Sequence, residues 1–275
     1  MKKILVPTDF SETADKARDY AVQIAQIFGS EIILLNTYHV PYAGASAGTL
    51  VNIDGMALED SKKNMAEQLA YVRENFSNIT FRTLCSPGLL VDSVKSVVKE
   101  ENIELVVMGT TGTSGMLENF LGSNTSSLIG SIQVPIITVP ARAVINFPKK
   151  IVVANDLSDS GENQVYDIVK KIAANNKASI DFLFVANGYD QINNKIEKLK
   201  AARFDEEFDS SYHPFHFRTH PDPTEGVLEF LKDKHFDMLV VVCHQRNFWQ
   251  RLVDKSVSKS LVKHADIPML VLAAS

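Results

Sequence analysis

Hydrophobic and polar positions follow two alternating periods along this chain. "KILVP" at 3–7 is a short apolar run. In the "SETADKARDYAVQIAQIFG" that follows, Ala14, Ala17, Ala21, Ile24, Ala25 and Phe28 share one helical face. Ser11 is placed as the N-cap of that helix and Gly29 as its stop. "EIILLNTY" predicts a second strand. A long helix near 56–76, a strand at "ITFRTL", a helix from about 89 to 100 and a strand at "IELVVMG" come next. A helix near 123–131 and a strand at "PIITVP" close the series. The strands are continuous apolar runs, as in a parallel sheet covered on both faces. Right-handed crossovers make this a doubly wound, Rossmann-like α/β sheet of five mostly parallel strands.

The pattern is written twice. "KKILVPTDFSETA" at 2–14 returns as "KKIVVANDLSDSG" at 149–161, matching Asp9 to Asp156 and Ser11 to Ser158. "FRT" at 81–83 returns at 217–219, "ELVVMG" at 104–109 faces "MLVVVC" at 238–243, and "VPIITVPA" at 134–141 faces "IPMLVLAA" at 267–274. Landmarks kept in this order predict two tandem domains, 1–145 and 146–275. The join falls near "PARAVINFPKK".

Composition narrows the function. The net charge of −5 offers no basic domain, which argues against a nucleic-acid binder. No run approaches the ~18 apolar residues of a membrane span. Pro7 and Asp9 break the N-terminal apolar run too early for a signal peptide. Cys85 and Cys243 stand in no metal or redox spacing and read as free thiols of a reducing compartment, so a cytoplasmic protein is expected.

"VVMGTTGTSGMLENFLGSNTSS" at 106–127 carries the most chemistry. It leaves the carboxyl end of the fourth strand, as "PTDFS" leaves that of the first. Ligands of open α/β sheets bind beyond these ends, where the strand order reverses. Glycines let a backbone approach phosphate oxygens, and peptide N–H groups before a helix favour an anion. Thr111, Thr113, Ser114, Ser123, Thr125 and Ser126 add hydroxyls. Asp9 suits the polar nucleoside end, or a metal, better than phosphates. There is no P-loop and no G-x-G-x-x-G after the first strand.

Gly109-x-x-Gly112, nine residues, then Gly122-Ser123 resembles the G-x2-G-x9-G-[ST] motif of the universal stress protein family. "ILVPTDFSE" is similar to that family's opening strand. The resemblance spans the chain as two tandem domains and implies ATP, or AMP or ADP, in the first. By position it sets Pro7, Thr8 and Asp9 near the adenosine and Val40 near the adenine. It sets Met108, Gly109 and Thr111 along the ribose, and Gly112, Gly122, Ser123, Asn124 and Thr125 on the phosphates. The family's dimers join through the last strand; here "PIITVP" and "PMLVLAA" are expected to make that contact within one chain. A homodimer of whole chains stays open.

Aligned without a gap, Gly109, Gly112, Gly122 and Ser123 become Cys243, Arg246, Ser256 and Val257 in the second half. With its glycines lost, that half is not expected to bind nucleotide in the family manner. Asp156 then reads as a helix or turn cap. Cys243-His244 reads as a filled pocket. His213, His216 and His220 read as solvated residues, since Arg218 between two of them opposes a metal. The small-residue stretch 41–55 is either a lid over the nucleotide or a surface loop, and 193–209 the solvated face of a helix. No nucleophile–base pair or metal cluster can be assembled, so no catalytic or metal residue is assigned. An ATP-binding stress-response regulator is the leading reading. The rivals are a slow ATPase using Asp9 and Mg²⁺, and a nucleotide-independent interaction or small-ligand-binding protein.

Overall fold

A computed structural model describes residues 1–38, 53–110, 123–129, 131–154, 166–188, 192–194, 196–197, 213–243 and 267–273. The first half contains β1 (Lys3–Pro7), α1 (Glu12–Phe28), β2 (Glu31–Tyr38), α2 (Ile53–Asn75) and β3 (Phe81–Pro87). It continues with α3 (Leu90–Glu100), β4 (Leu105–Gly109), α4 (Ser123–Ile129) and β5 (Ile136–Val139). The second half contains β6 (Lys150–Ala154), α5 (Asp167–Asn176), β7 (Ser179–Ala186) and β8 (Phe215–Thr219). It ends with α6 (Pro223–Asp233), β9 (Met238–Cys243) and β10 (Met269–Ala273).

The caps of α1 are those its sequence asks for. Ser11 is extended and its hydroxyl accepts from the Ala14 N–H at 3.2 Å. Gly29 turns left-handed at φ 65° and closes the helix on the Ala25 carbonyl. Ala14, Ala17, Ala21, Ile24 and Ala25 are buried, as their spacing requires.

Among the described residues the strands form one ten-stranded sheet, ordered β3-β2-β1-β4-β5-β10-β9-β6-β7-β8. Within each half all pairs are parallel. At the centre β5 and β10 run antiparallel, with Met269 opposite Thr138, Leu270 opposite Ile137 and Val271 opposite Ile136. The carboxyl ends of the two halves therefore lie at opposite ends of the sheet. In each half the order reverses beside the first strand, between β1 and β4 and between β6 and β9. On one face α1 and α5 pack on Ile4, Val6, Leu105, Ile151, Val153 and Met238. On the other, α3, α4 and α6 cover Leu5, Val106, Ile136, Val152 and Leu239.

The halves also meet beneath the sheet. Lys171 of α5 sets its ammonium 4.7 Å from the ring centre of Phe28 in α1. Within the first half, α1 also holds the segment that follows β5: Gln23 Nε2 donates to the Ile145 carbonyl at 3.4 Å and Lys16 to the Ala141 carbonyl. Tyr20 is buried there, and desolvation together with the charge of Asp237 raises its phenol pKa.

Hydrogen-bond register corrects two of the repeat landmarks. Glu104 N–H donates to Lys3 O at 3.1 Å and Asp237 N–H to Lys150 O at 2.8 Å, so these acids correspond. Leu105 stands opposite Ile4 and Met238 opposite Ile151. Gly109 therefore corresponds to Val242 and not to Cys243, which matches Thr110. Continuing the same offset sets Gln245, Lys255 and Ser256 against Gly112, Gly122 and Ser123, outside the described residues. The glycines are lost in either register. The "FRT" match is coincidental. Thr83 stands opposite Leu34 and Phe215 opposite Phe182, and Leu34 and Phe182 are themselves equivalent. Phe217 thus corresponds to Cys85, and Arg218 to Ser86. The side chains differ accordingly: Arg82 pairs with Glu31 and Glu101, Arg218 with Asp233.

The cap of α5 repeats that of α1 with the wrong residue. Lys177 sits where Gly29 does and takes φ 52°, a left-handed conformation that costs a residue with a Cβ. Lys177→Gly is expected to raise unfolding stability by about 1 kcal/mol, and Gly29→Lys to lower it by about as much. Urea denaturation of both variants checks this; unchanged midpoints contradict it.

Candidate functional site

The turn after β1 is held closed by its own side chains. Thr8 is buried; its N–H donates to Leu35 O at 2.8 Å and its Oγ1 accepts from the Phe10 N–H at 3.0 Å. Asp9, exposed at the rim, accepts from the Ser11 N–H at 3.1 Å and the Ser11 hydroxyl at 2.6 Å, both on Oδ1. Phe10 between them takes φ 64°, uncommon for a residue with a bulky side chain. The N–H groups of Phe10 and Ser11 are thus engaged with side-chain oxygens. Together with the charge of Asp9, this makes the turn a poor anion cradle and a better acceptor for hydroxyl or amine donors.

One strand away, β4 delivers Gly109 against the first turn of α1. A Cβ on Gly109 would stand 2.8 Å from Thr13 Cγ2 and 3.1 Å from the Thr13 carbonyl oxygen. Thr125 of α4, 2% exposed, donates its hydroxyl to the Gly109 carbonyl at 3.3 Å. The Thr110 N–H continues the ladder to Val139 O at 3.1 Å. The fold thus brings Gly109, Thr13 and Thr125 together, on the strand beside Pro7, Thr8 and Asp9. Pro7 and Met108 are buried, Met108 among the core residues of the α3–α4 face, so Met108 meets the site through its backbone. Asn124 is exposed. Ser123 is the first residue of α4. Val40, Thr111, Gly112 and Gly122 lie outside the described residues, as do most of 41–55, most of 193–209 and Asp156. The described part offers acceptors for hydroxyl or amine donors; the rest of the glycine motif lies outside the described residues.

Two residues of this region escaped the sequence reading. Asn36 ends the apolar run of β2 and is 6% exposed. Its Nδ2 donates to Thr8 O at 2.8 Å, and its Oδ1 accepts from the Ser61 hydroxyl of α2 at 2.6 Å. The one available signal was a lone amide inside "EIILLNTY". At the equivalent rung of β7 stands Phe184, whose ring stacks on Phe215 and Phe217 at centroid distances of 6.1 and 5.4 Å.

His213, His216 and His220, expected to be solvated, are half-buried. His213 contacts Ile180 O at 3.1 Å, and His220 bonds within its own turn to Asp222. His216 is half-buried, 2.7 Å from Asp181 Oδ2, and packs on Phe230. Among the described residues no group of three or more His, Cys, Asp or Glu side chains could hold a metal. A cavity of about 310 Å³ lies between β8 and α6, on the far side of the second half. Arg218, Glu229 and Asp233 line it, and Arg218 and Asp233 pair with each other at 3.4 Å.

These features define a class: a tandem α/β protein in whose first unit a glycine-rich sequence follows the fourth strand at the switch point. The family model of the Universal stress protein family matches residues 1–140 and again 148–273, and the chain belongs to that family. Universal stress protein MJ0531 of Methanocaldococcus jannaschii is 25% identical over 139 residues, covering 50% of this chain and 81% of that protein. Universal stress protein MJ0577 of the same organism is 24% identical over 155 residues, covering 50% and 94%. The crystal structure of a universal stress protein from Archaeoglobus fulgidus shares the fold over 99% of this chain and 98% of its own, with a TM-score of 0.75 at 16% identity. Among the described residues no helix is long and apolar enough to cross a membrane.

Gly109 has a packing reason to be glycine that needs no ligand. Gly109→Ala is expected to destabilise the ligand-free protein by about 1–3 kcal/mol, since the Thr13 backbone cannot yield freely. Urea unfolding without nucleotide measures it; a neutral effect would mean the glycine serves a ligand alone.

Proposed function

We propose that the chain is an adenine-nucleotide-binding regulatory protein of the stress response, acting in the cytoplasm, with one competent site in its first unit. The units are taken as 1–145 and 146–275. The observation that carries this reading is Gly109-x-x-Gly112-x9-Gly122-Ser123, which leaves β4 at the switch point beside the Asp9 turn. In this reading Asp9 accepts from hydroxyls of the nucleoside, with Pro7, Thr8 and Val40 around adenosine and base. Met108, Gly109 and Thr111 border the ribose through their backbone. The phosphates of ATP, ADP or AMP rest on Gly112, Gly122, Ser123, Asn124 and Thr125.

The second unit is its non-binding counterpart. Val242 stands at the rung of Gly109, and phenylalanine at the rung of Asn36, which supports a single site. The engagement of Asp9 Oδ1 by Ser11 supports a positioning role for Asp9 over that of a general base, so binding without rapid turnover is the proposed activity. Pairing of the units through β5 and β10 takes the place of a dimer of single units.

Heat-released supernatant of the purified protein is expected to contain an adenine nucleotide by mass spectrometry. Titration calorimetry of the stripped protein is expected to give about one nucleotide per chain, with binding lost in Gly122→Val, because side chains replace a close backbone approach. A stoichiometry near two, or full binding by Gly122→Val, overturns this reading.

A further inference from the structure

Thr8 is fixed from three directions. Its N–H is tied to β2, its hydroxyl to the Phe10 N–H, and its carbonyl to the Asn36 amide. The third tie is costly. Asn36 and Ser61 are 6% and 3% exposed, and a buried polar pair gains little over apolar side chains of similar size. The fold does not require them. At the same rung of the same sheet type, Phe184 is fully buried and stacks within an aromatic row. The polar pair is therefore retained in the unit that keeps the glycine turn and absent from the unit that has lost it. It also has a mechanical task at hand. Phe10 is left-handed, and a backbone in such a conformation persists only where its surroundings over-determine it.

We infer that Asn36 and Ser61 are positioning residues of the nucleotide site: through Thr8 they hold the turn carrying Asp9, and through Ser61 they tie α2 to that turn. This inference rests on the nucleotide-binding reading above. Neither side chain needs to touch the ligand. Asn36 acts on the geometry of Asp9 by way of the Thr8 carbonyl. Ser61 sets the Asn36 amide, because its hydroxyl takes Oδ1 and leaves Nδ2 aimed at Thr8. Occupancy of the site and docking of α2 are in this way coupled.

The test uses the full chain. ATP affinity is measured by calorimetry for the wild type, Asn36→Leu, Ser61→Ala and Ser61→Thr. Hydrogen exchange of α2 is followed with and without saturating ATP. Asn36→Leu is expected to weaken ATP binding about tenfold and Ser61→Ala about threefold, with Ser61→Thr near wild type because it restores the hydroxyl. ATP is expected to slow exchange in α2 of the wild type and to leave it unchanged in Asn36→Leu at saturation. A merely structural pair would shift the unfolding midpoint without altering this ATP response. Wild-type affinity in both Asn36→Leu and Ser61→Ala, or an undiminished α2 response, overturns the inference while the nucleotide reading stands. A wild type that binds no adenine nucleotide overturns both, before any variant is made. If Asn36→Leu does not fold, the contrast between Ser61→Ala and Ser61→Thr decides: equal affinities overturn the inference.

Discussion

Everything in this molecule is arranged around the antiparallel join of β5 to β10. Ile137 and Leu270 on one face and Ile136 and Val271 on the other are almost completely buried, so each of these strands is covered on both faces. Left as an edge, such a strand would present unpaired peptide groups along an apolar ribbon, a template for aggregation. Pairing the two removes both edges at once. The remaining edges are β3 and β8, whose residues are mostly half-buried or exposed and include Arg82 and Arg218. The join also decides where chemistry can occur. Antiparallel strands send the carboxyl ends of the two halves to opposite ends of the sheet, so the ends of β4 and β9 face apart.

Most of the architecture could be read from the chain because its signals are local. Ser11 and Gly29 bracket α1 through hydrogen bonds within a few residues, and the alanine stripe follows a single period. Register was harder. "ELVVMG" and "MLVVVC" are runs of similar apolar residues buried on both faces, and a pattern without alternation carries no phase. The correspondence of Gly109 slipped by one residue, and only the bonds of Glu104 and Asp237 to their neighbouring strand set it right. The "FRT" coincidence failed for the same reason at β3 and β8: three identical letters carry less information than one rung of the ladder.

The candidate site divides along the same line. Its glycine spacing is a property of continuous sequence and was visible there. The bracket through Thr8, Asn36 and Ser61 joins three elements that meet only after the sheet has formed, so sequence could show a solitary amide and not its task. His216 and Asp181 are a parallel case: they stand at the rungs of Leu84 and Ile33, and only the cross-strand register makes a pair of them.

The two halves thus solve one structural problem with different chemistry. Phe184 of β7 stacks on Phe215 and Phe217 of the neighbouring β8 at 6.1 and 5.4 Å. Such aromatic pairs contribute about 0.5–1.5 kcal/mol each beyond the area they bury. At the same level of β2, the first half places an amide and a hydroxyl out of water, where good hydrogen bonds do little more than offset desolvation. If stability alone governed these positions, the aromatic solution would suit both halves. The first half keeps the polar one beside a left-handed Phe10 and an aspartate tied to its own turn. Geometry that stacking rings cannot impose, a fixed carbonyl and a fixed carboxylate at the mouth of the switch point, accounts for the difference.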